Sequence, residues 1–308
     1  MALDSSSPAL ETPLWRRIDP LIAIFVAVQL IAGGVAAWPF RFRDGPVEEP
    51  DFWGIAANYF RVFTPTLTAI LLLGWSGGAD ALRGLARRLL RWRVSGWLYL
   101  AAVAVPLVAL LVGAIAEGQR PAWKVDDMRP HFGAILLLMM ALNIVVSWLA
   151  IEPGMRGFLQ ERANATRHPL LWAVGIGLLG SCALGFPFMP HFYSWEYIGR
   201  QLVVYAGLAV IAGWLYLRSG GSLVLSGLAF ASVGVASMAR VFLFHGEASS
   251  LAGDVLDGGL VVVALLLLLH ENAPVLRRWV MAGTPQGAAL RRTEAEERVE
   301  ANGADVSR

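Results

Sequence analysis

Apolar residues in this chain come in runs of about twenty, broken by short connections that carry most of the arginines. A membrane span needs roughly 20 mostly apolar residues, because a rise of ~1.5 Å per residue must cross ~30 Å of hydrocarbon. Eight runs meet or approach that length: 18–38, 55–75, 96–116, 132–151, 170–188, 201–217, 222–244 and 255–270, the last being the shortest. The pattern predicts an all-α fold, a polytopic membrane helical bundle of about eight transmembrane helices over residues 18–272. Residues 1–17 form an N-terminal tail, and 1–13 are polar and acidic, unlike a removable signal peptide. Residues 273–308 form a C-terminal tail, expected to be partly disordered where Glu294, Glu296, Glu297 and Glu300 alternate with small polar residues.

One connection has a helical pattern of its own. Over residues 80–92, Leu82, Leu85, Leu89 and Trp92 fall on one face and Arg83, Arg87, Arg88 and Arg91 on the other, as in an interfacial amphipathic helix.

Composition strengthens the membrane reading. Of the 308 residues, 56% are hydrophobic, well above the roughly 45–50% of soluble domains, so the lipid bilayer is the expected partner. The net charge of +2 is small and the arginines are dispersed, which argues against nucleic acid. The single cysteine, Cys182, rules out an internal disulfide or a Cys-based zinc cluster. Basic residues near spans are retained in the cytoplasm. Arg16, Arg17, the cluster from Arg83 to Arg93, Arg162, Arg167, Arg218, Arg277 and Arg278 all fall on one side if eight spans alternate. The expectation is a multi-pass protein of the cell membrane with both termini cytoplasmic. Only 117–131 runs against it, with Arg120, Lys124 and Arg129 offset by Glu117, Asp126 and Asp127.

Candidate chemistry is concentrated in 147–160, SWLAIEPGMRGFLQ. An ionisable group inside a span is costly and marks a functional candidate. Glu152 and Arg156 are four residues apart on one helix face, where acid and base can pair. Pro153 and Gly154 are expected to kink the helix there. A plain structural ion pair explains these residues as well as a site does. If the fourth helix runs to about Arg167 before turning, the returning helix reaches the depth of Glu152 near Pro187 or Phe188, with His191 one turn further out. His191 is thus a candidate partner for Glu152, or else an interfacial residue beside Phe192, Tyr193 and Trp195. No histidine has a second ligand at metal-binding spacing, and no zincin, phosphate-loop or nucleophile-elbow motif occurs. Gly220 and Gly221 predict a tight turn.

Taken together, these segments resemble the CPBP family, the intramembrane glutamate proteases that include CAAX prenyl proteases and bacteriocin-processing or immunity proteins. The resemblance covers about residues 63–234. It comprises a Pro-containing span, the Arg-rich amphipathic helix, GWLYLAAVAVPL, then IEPGMRGFLQ and GWLYLRSGGSLVLSGLAF in the family's order. The family pattern is Glu-Glu-x-x-x-Arg-Gly, then Phe-x-x-x-His, then His-x-x-x-Asn or Asp. The resemblance implies a general-base mechanism in which the first Glu and the histidines activate water. Here Ile151 stands at the first Glu position, while Glu152, Arg156 and Gly157 match the rest. At the second motif Phe188 takes the His position, or a three-residue shift recruits His191 and places Pro187 at the Phe. At the third, Phe230 and Gly234 stand where His and Asn or Asp belong.

These departures remove the groups that would hold and deprotonate water, so the resemblance implies the fold with impaired or lost proteolysis. The protein would then be a binding or scaffolding module, receiving a membrane protein or peptide in a cytoplasmic-facing cavity, with no cofactor. The alternative is an active divergent endopeptidase using Glu152 and His191 as catalytic residues, the one case in which a divalent metal would enter. A small-solute transporter is a third class, but internal hydropathy symmetry and multiple midplane polar residues are not evident.

Overall fold

A computed structural model describes residues 19–37, 52–116, 131–163, 169–183, 194–243 and 251–282. The chain divides into two compact units, Met1–Ala264 and Leu265–Arg308; the described part of the second, 265–282, is helical throughout. Among the described residues there is no strand. The helices are α1 (Pro20–Ala37), α2 (Phe52–Leu89), α3 (Gly96–Ala116), α4 (Phe132–Val146), α5 (Glu161–Ala163), α6 (Pro169–Ala183), α7 (Trp195–Arg218), α8 (Leu223–Leu243) and α9 (Leu251–Ala282). Two π-helical segments, Ser147–Ile151 and Pro153–Gln160, join α4 to α5 without a break. Within α1, α2, α4 with the first π segment, α7 and α9 lie five stretches long and apolar enough to cross a membrane. Shorter apolar stretches in α3, α6 and α8 complete the set predicted from the sequence.

Large apolar side chains point outward along these helices. Leu71, Ile115 and Leu137 are each more than 70% exposed, an arrangement water would penalise and lipid tails would not. The protein is a multi-pass, all-α membrane protein. The two tails expected at 1–17 and beyond 282 lie outside the described residues, while α9 carries helix on to Ala282, past the expected end of the eighth span.

Two local departures from regular winding shape the bundle. At Gly78 the backbone (φ 58°, ψ −149°) leaves helical geometry, which glycine tolerates without a Cβ clash, and α2 changes direction between its membrane part and its Arg-rich end. Beyond that bend Leu85 enters the protein core, with Leu82 and Leu89 packed beside it. Trp92 instead stays largely exposed, so the predicted apolar face is divided between protein and surroundings.

At Pro153 the sequence predicts a kink, but the chain widens into π winding. Proline has no N–H to donate four residues back, and the ladder slips by one: the Glu152 N–H donates to the Ser147 carbonyl. Gly154 then lies against the backbone of Pro65 in α2, and Gly157 against Leu85 and Leu223. Phe158 stacks on Phe25 of α1 with ring centroids 5.1 Å apart.

The missing Cβ at Gly154 sets the approach of these helices, since a Cβ there would lie 2.7 Å from that of Pro65 as well as against its backbone. Gly154→Val is expected to lower the unfolding free energy by about 1–3 kcal/mol. Gly180→Ala, whose new methyl meets nothing within 4 Å, is expected to leave it nearly unchanged. Denaturant titration in detergent micelles measures both.

Candidate functional site

The π-helical stretch delivers the sequence-predicted ion pair into the middle of the bundle. Arg156 Nη1 donates to Glu152 Oε1 at 3.1 Å, and both side chains are essentially inaccessible, at 2% and 0% exposed. Arg156 Nη2 reaches the Ala209 carbonyl of α7 at 3.5 Å, and its guanidinium lies 4.8 Å from the ring centroid of Phe230. The Ser226 hydroxyl approaches the carboxylate but donates to the Leu223 carbonyl 3.2 Å away. Among the described residues Glu152 Oε2 and Arg156 Nε have no hydrogen-bond partner.

Beside this pair lies a cavity of about 380 Å³, within the ~300–1,000 Å³ range of small-molecule sites. Ile151, Arg156, Phe230 and Gly234 all line it, so two stretches distant in sequence, the π-helical stretch and α8, bring these sequence-predicted positions to one cavity. Glu152 is not among the lining residues; its carboxylate is fully buried against Arg156. Phe188 and His191 lie outside the described residues. Gln160 Nε2 donates to the Pro169 carbonyl at 3.0 Å, and Ile176 and Leu179 of α6 share a core cluster with Met155.

The cavity occupies one half of the bundle. Gln201 lines it, whereas Tyr216, 15 residues and ~22 Å further along α7, donates its hydroxyl to Glu161 Oε2 at 2.7 Å. Glu161 also pairs with Arg88 at 2.7 Å. Trp148 Nε1 donates to the Leu89 carbonyl at 2.8 Å, the Arg91 side chain to the Gly220 carbonyl, and the Ser222 hydroxyl to the Arg91 carbonyl at 2.5 Å. The turn accepting these bonds uses Gly220 and Gly221 at φ 67° and 98°. Arg162 holds Asp19 at 2.8 Å. The arginine-bearing end is thus tied together by its own ion pairs, and this cavity is lined by residues toward the other end of α2, α6 and α7.

Sequence reasoning missed several residues there. Arg200 is held by Asp254 and Asp257 of α9, each at 2.6 Å, and Asp257 borders the cavity. Two acids three residues apart at the head of an apolar helix were the available signal. Asn143 and Ser147 on α4 and the first π segment, with Ser237 on α8, also line the wall. Single polar residues within apolar runs gave no spacing to single them out. Among the described residues no group of three His, Cys, Asp or Glu is placed to hold a metal ion.

An ion pair sealed from water is held mainly by each charge preventing the other from standing alone. Arg156→Met should destabilise the fold by about 3–5 kcal/mol by stranding Glu152, and adding Glu152→Leu should restore most of that loss. A thermal-unfolding double-mutant cycle in micelles reads the difference.

No known protein family matches the chain, and no curated protein sequence shows detectable similarity to it.

Proposed function

We propose that this protein is a CPBP-like membrane binding or scaffolding module whose proteolytic chemistry has been lost. One observation carries the reading: Ile151, Phe230 and Gly234 meet Arg156 on a single cavity wall. In the resembling family those three places hold the groups that activate water. An isoleucine, a phenylalanine and a glycine can neither take up a proton nor orient a hydroxide. The neighbouring acid is withheld as well, because Glu152 is enclosed and bonded to Arg156. A divergent protease would need Glu152 at the cavity, and Glu152 is absent from its lining.

The arginine distribution supports both termini in the cytoplasm, with the Arg88–Glu161–Tyr216 network at the inner face and the cavity in the outer half of the bundle. The cell membrane is the expected location.

Purified protein and its Glu152→Gln variant are both expected to leave a panel of membrane-anchored peptides intact, as followed by mass spectrometry. Cleavage by the first that is lost in the second would overturn the reading. In bacterial cells, a C-terminal green fluorescent protein fusion should fluoresce and an alkaline phosphatase fusion at the same point should be inactive; the reverse would place that end outside.

A further inference from the structure

The cavity has a polar wall and an apolar one. Asn143 and Ser147 are four residues apart and share a helix face, and Gly234 and Ser237, three apart, share the facing surface of α8. Asn143 Nδ2 donates to the Met139 carbonyl at 2.8 Å, which turns Oδ1 toward Gly234, where a Cβ would lie only 3.1 Å from it. Asn143 Oδ1 and the side chains of Ser147 and Ser237 belong to this lining. The wall thus presents one amide acceptor and two hydroxyls that can donate or accept. The lining also includes Ile176 and Gly180 of α6 and, on α7, Val204 and Leu208 beside Gln201 and Tyr205. Gly180 faces open space, with nothing within 4 Å of where its Cβ would be.

Charge narrows the ligand further. Arg156 is already paired with Glu152 at 3.1 Å, Asp257 shares Arg200 with Asp254 at 2.6 Å, and Arg61, which also lines the cavity, is engaged in an interaction of its own. A ligand of either sign would have to compete with a pair already made, and would surrender its own hydration to do so. A neutral ligand with a hydroxyl head and one apolar chain meets both walls without disturbing either pair.

We infer that the cavity binds an electroneutral, hydroxyl-headed single-chain amphiphile drawn from the bilayer, its head on Asn143, Ser147 and Ser237 and its chain against α6. The inference rests on the proposed binding role and names the ligand class of that same cavity.

The test uses the full-length protein in lipid nanodiscs and a photoreactive monodecanoylglycerol carrying a diazirine in its chain, with labelled residues mapped by mass spectrometry. Label is expected on cavity residues of α6 and α7. Unlabelled monodecanoylglycerol should compete at least about tenfold better than decyl phosphate or decyltrimethylammonium. Gly180→Leu should fill the cavity and abolish labelling, while Gly180→Ala retains it. Should the leucine variant not fold, Asn143→Leu replaces it, and the preference for the hydroxyl head should then fall to parity with the charged competitors. Label confined to lipid-facing residues, equal competition by the charged amphiphiles, or labelling that survives Gly180→Leu would each overturn the inference. None of these outcomes involves peptide cleavage, so failure here and failure of the non-proteolytic reading are told apart.

Discussion

A carboxylate and a guanidinium enclosed together between helices constrain everything around them. Glu152 and Arg156 can stay inside this bundle only as a pair, because either alone would be an uncompensated charge far from water. Their pairing fixes the rotation of the π-helical stretch, and that rotation decides which residues face which way. With Glu152 turned toward Ser226, Ile151 and Arg156 become cavity wall. The π winding also matters to the pairing, since Pro153 breaks the ordinary ladder next to the acid, and the slip is absorbed without separating it from its partner.

The close contacts of this stretch follow from small residues. Gly154 against Pro65 and Gly157 against Leu85 bring α2 near enough to shield the pair. Similar logic operates at the arginine-bearing end, where Arg88, Glu161 and Tyr216 hold the far part of α2 to α7 and the end of the π stretch. The arginine-bearing end is thereby tied together by packing and ion pairs, and the cavity is lined by residues toward the other end of these helices. A site that resembles a protease centre in sequence order thus becomes a mostly apolar chamber with a hydroxyl- and amide-bearing wall.

The comparison between sequence and structure divides along physical lines. Apolar runs read directly as helices, because in lipid every backbone group must be bonded within its own segment and helices do this with no outside help. The Glu152–Arg156 pair was legible for a similar reason: helical spacing alone brings residues four apart together. The bend at Gly78 and the widening at Pro153 were only partly legible. Sequence marks where a helix is weak, but whether it kinks or slips register depends on what packs against it.

By itself, then, the sequence determined the helical membrane class, the apolar runs and the acid–base pair. All of these depend on residue type and short spacing. Only the tertiary structure decided that Ile151, Arg156, Phe230 and Gly234 line one cavity, that Glu152 is not among its lining residues, and that Asn143, Ser147 and Ser237 are. It also decided that Asp257 meets Arg200 at the cavity's edge. Those facts join helices dozens of residues apart, and the rotation of each helix about its axis is set by packing against the others, which no local pattern encodes.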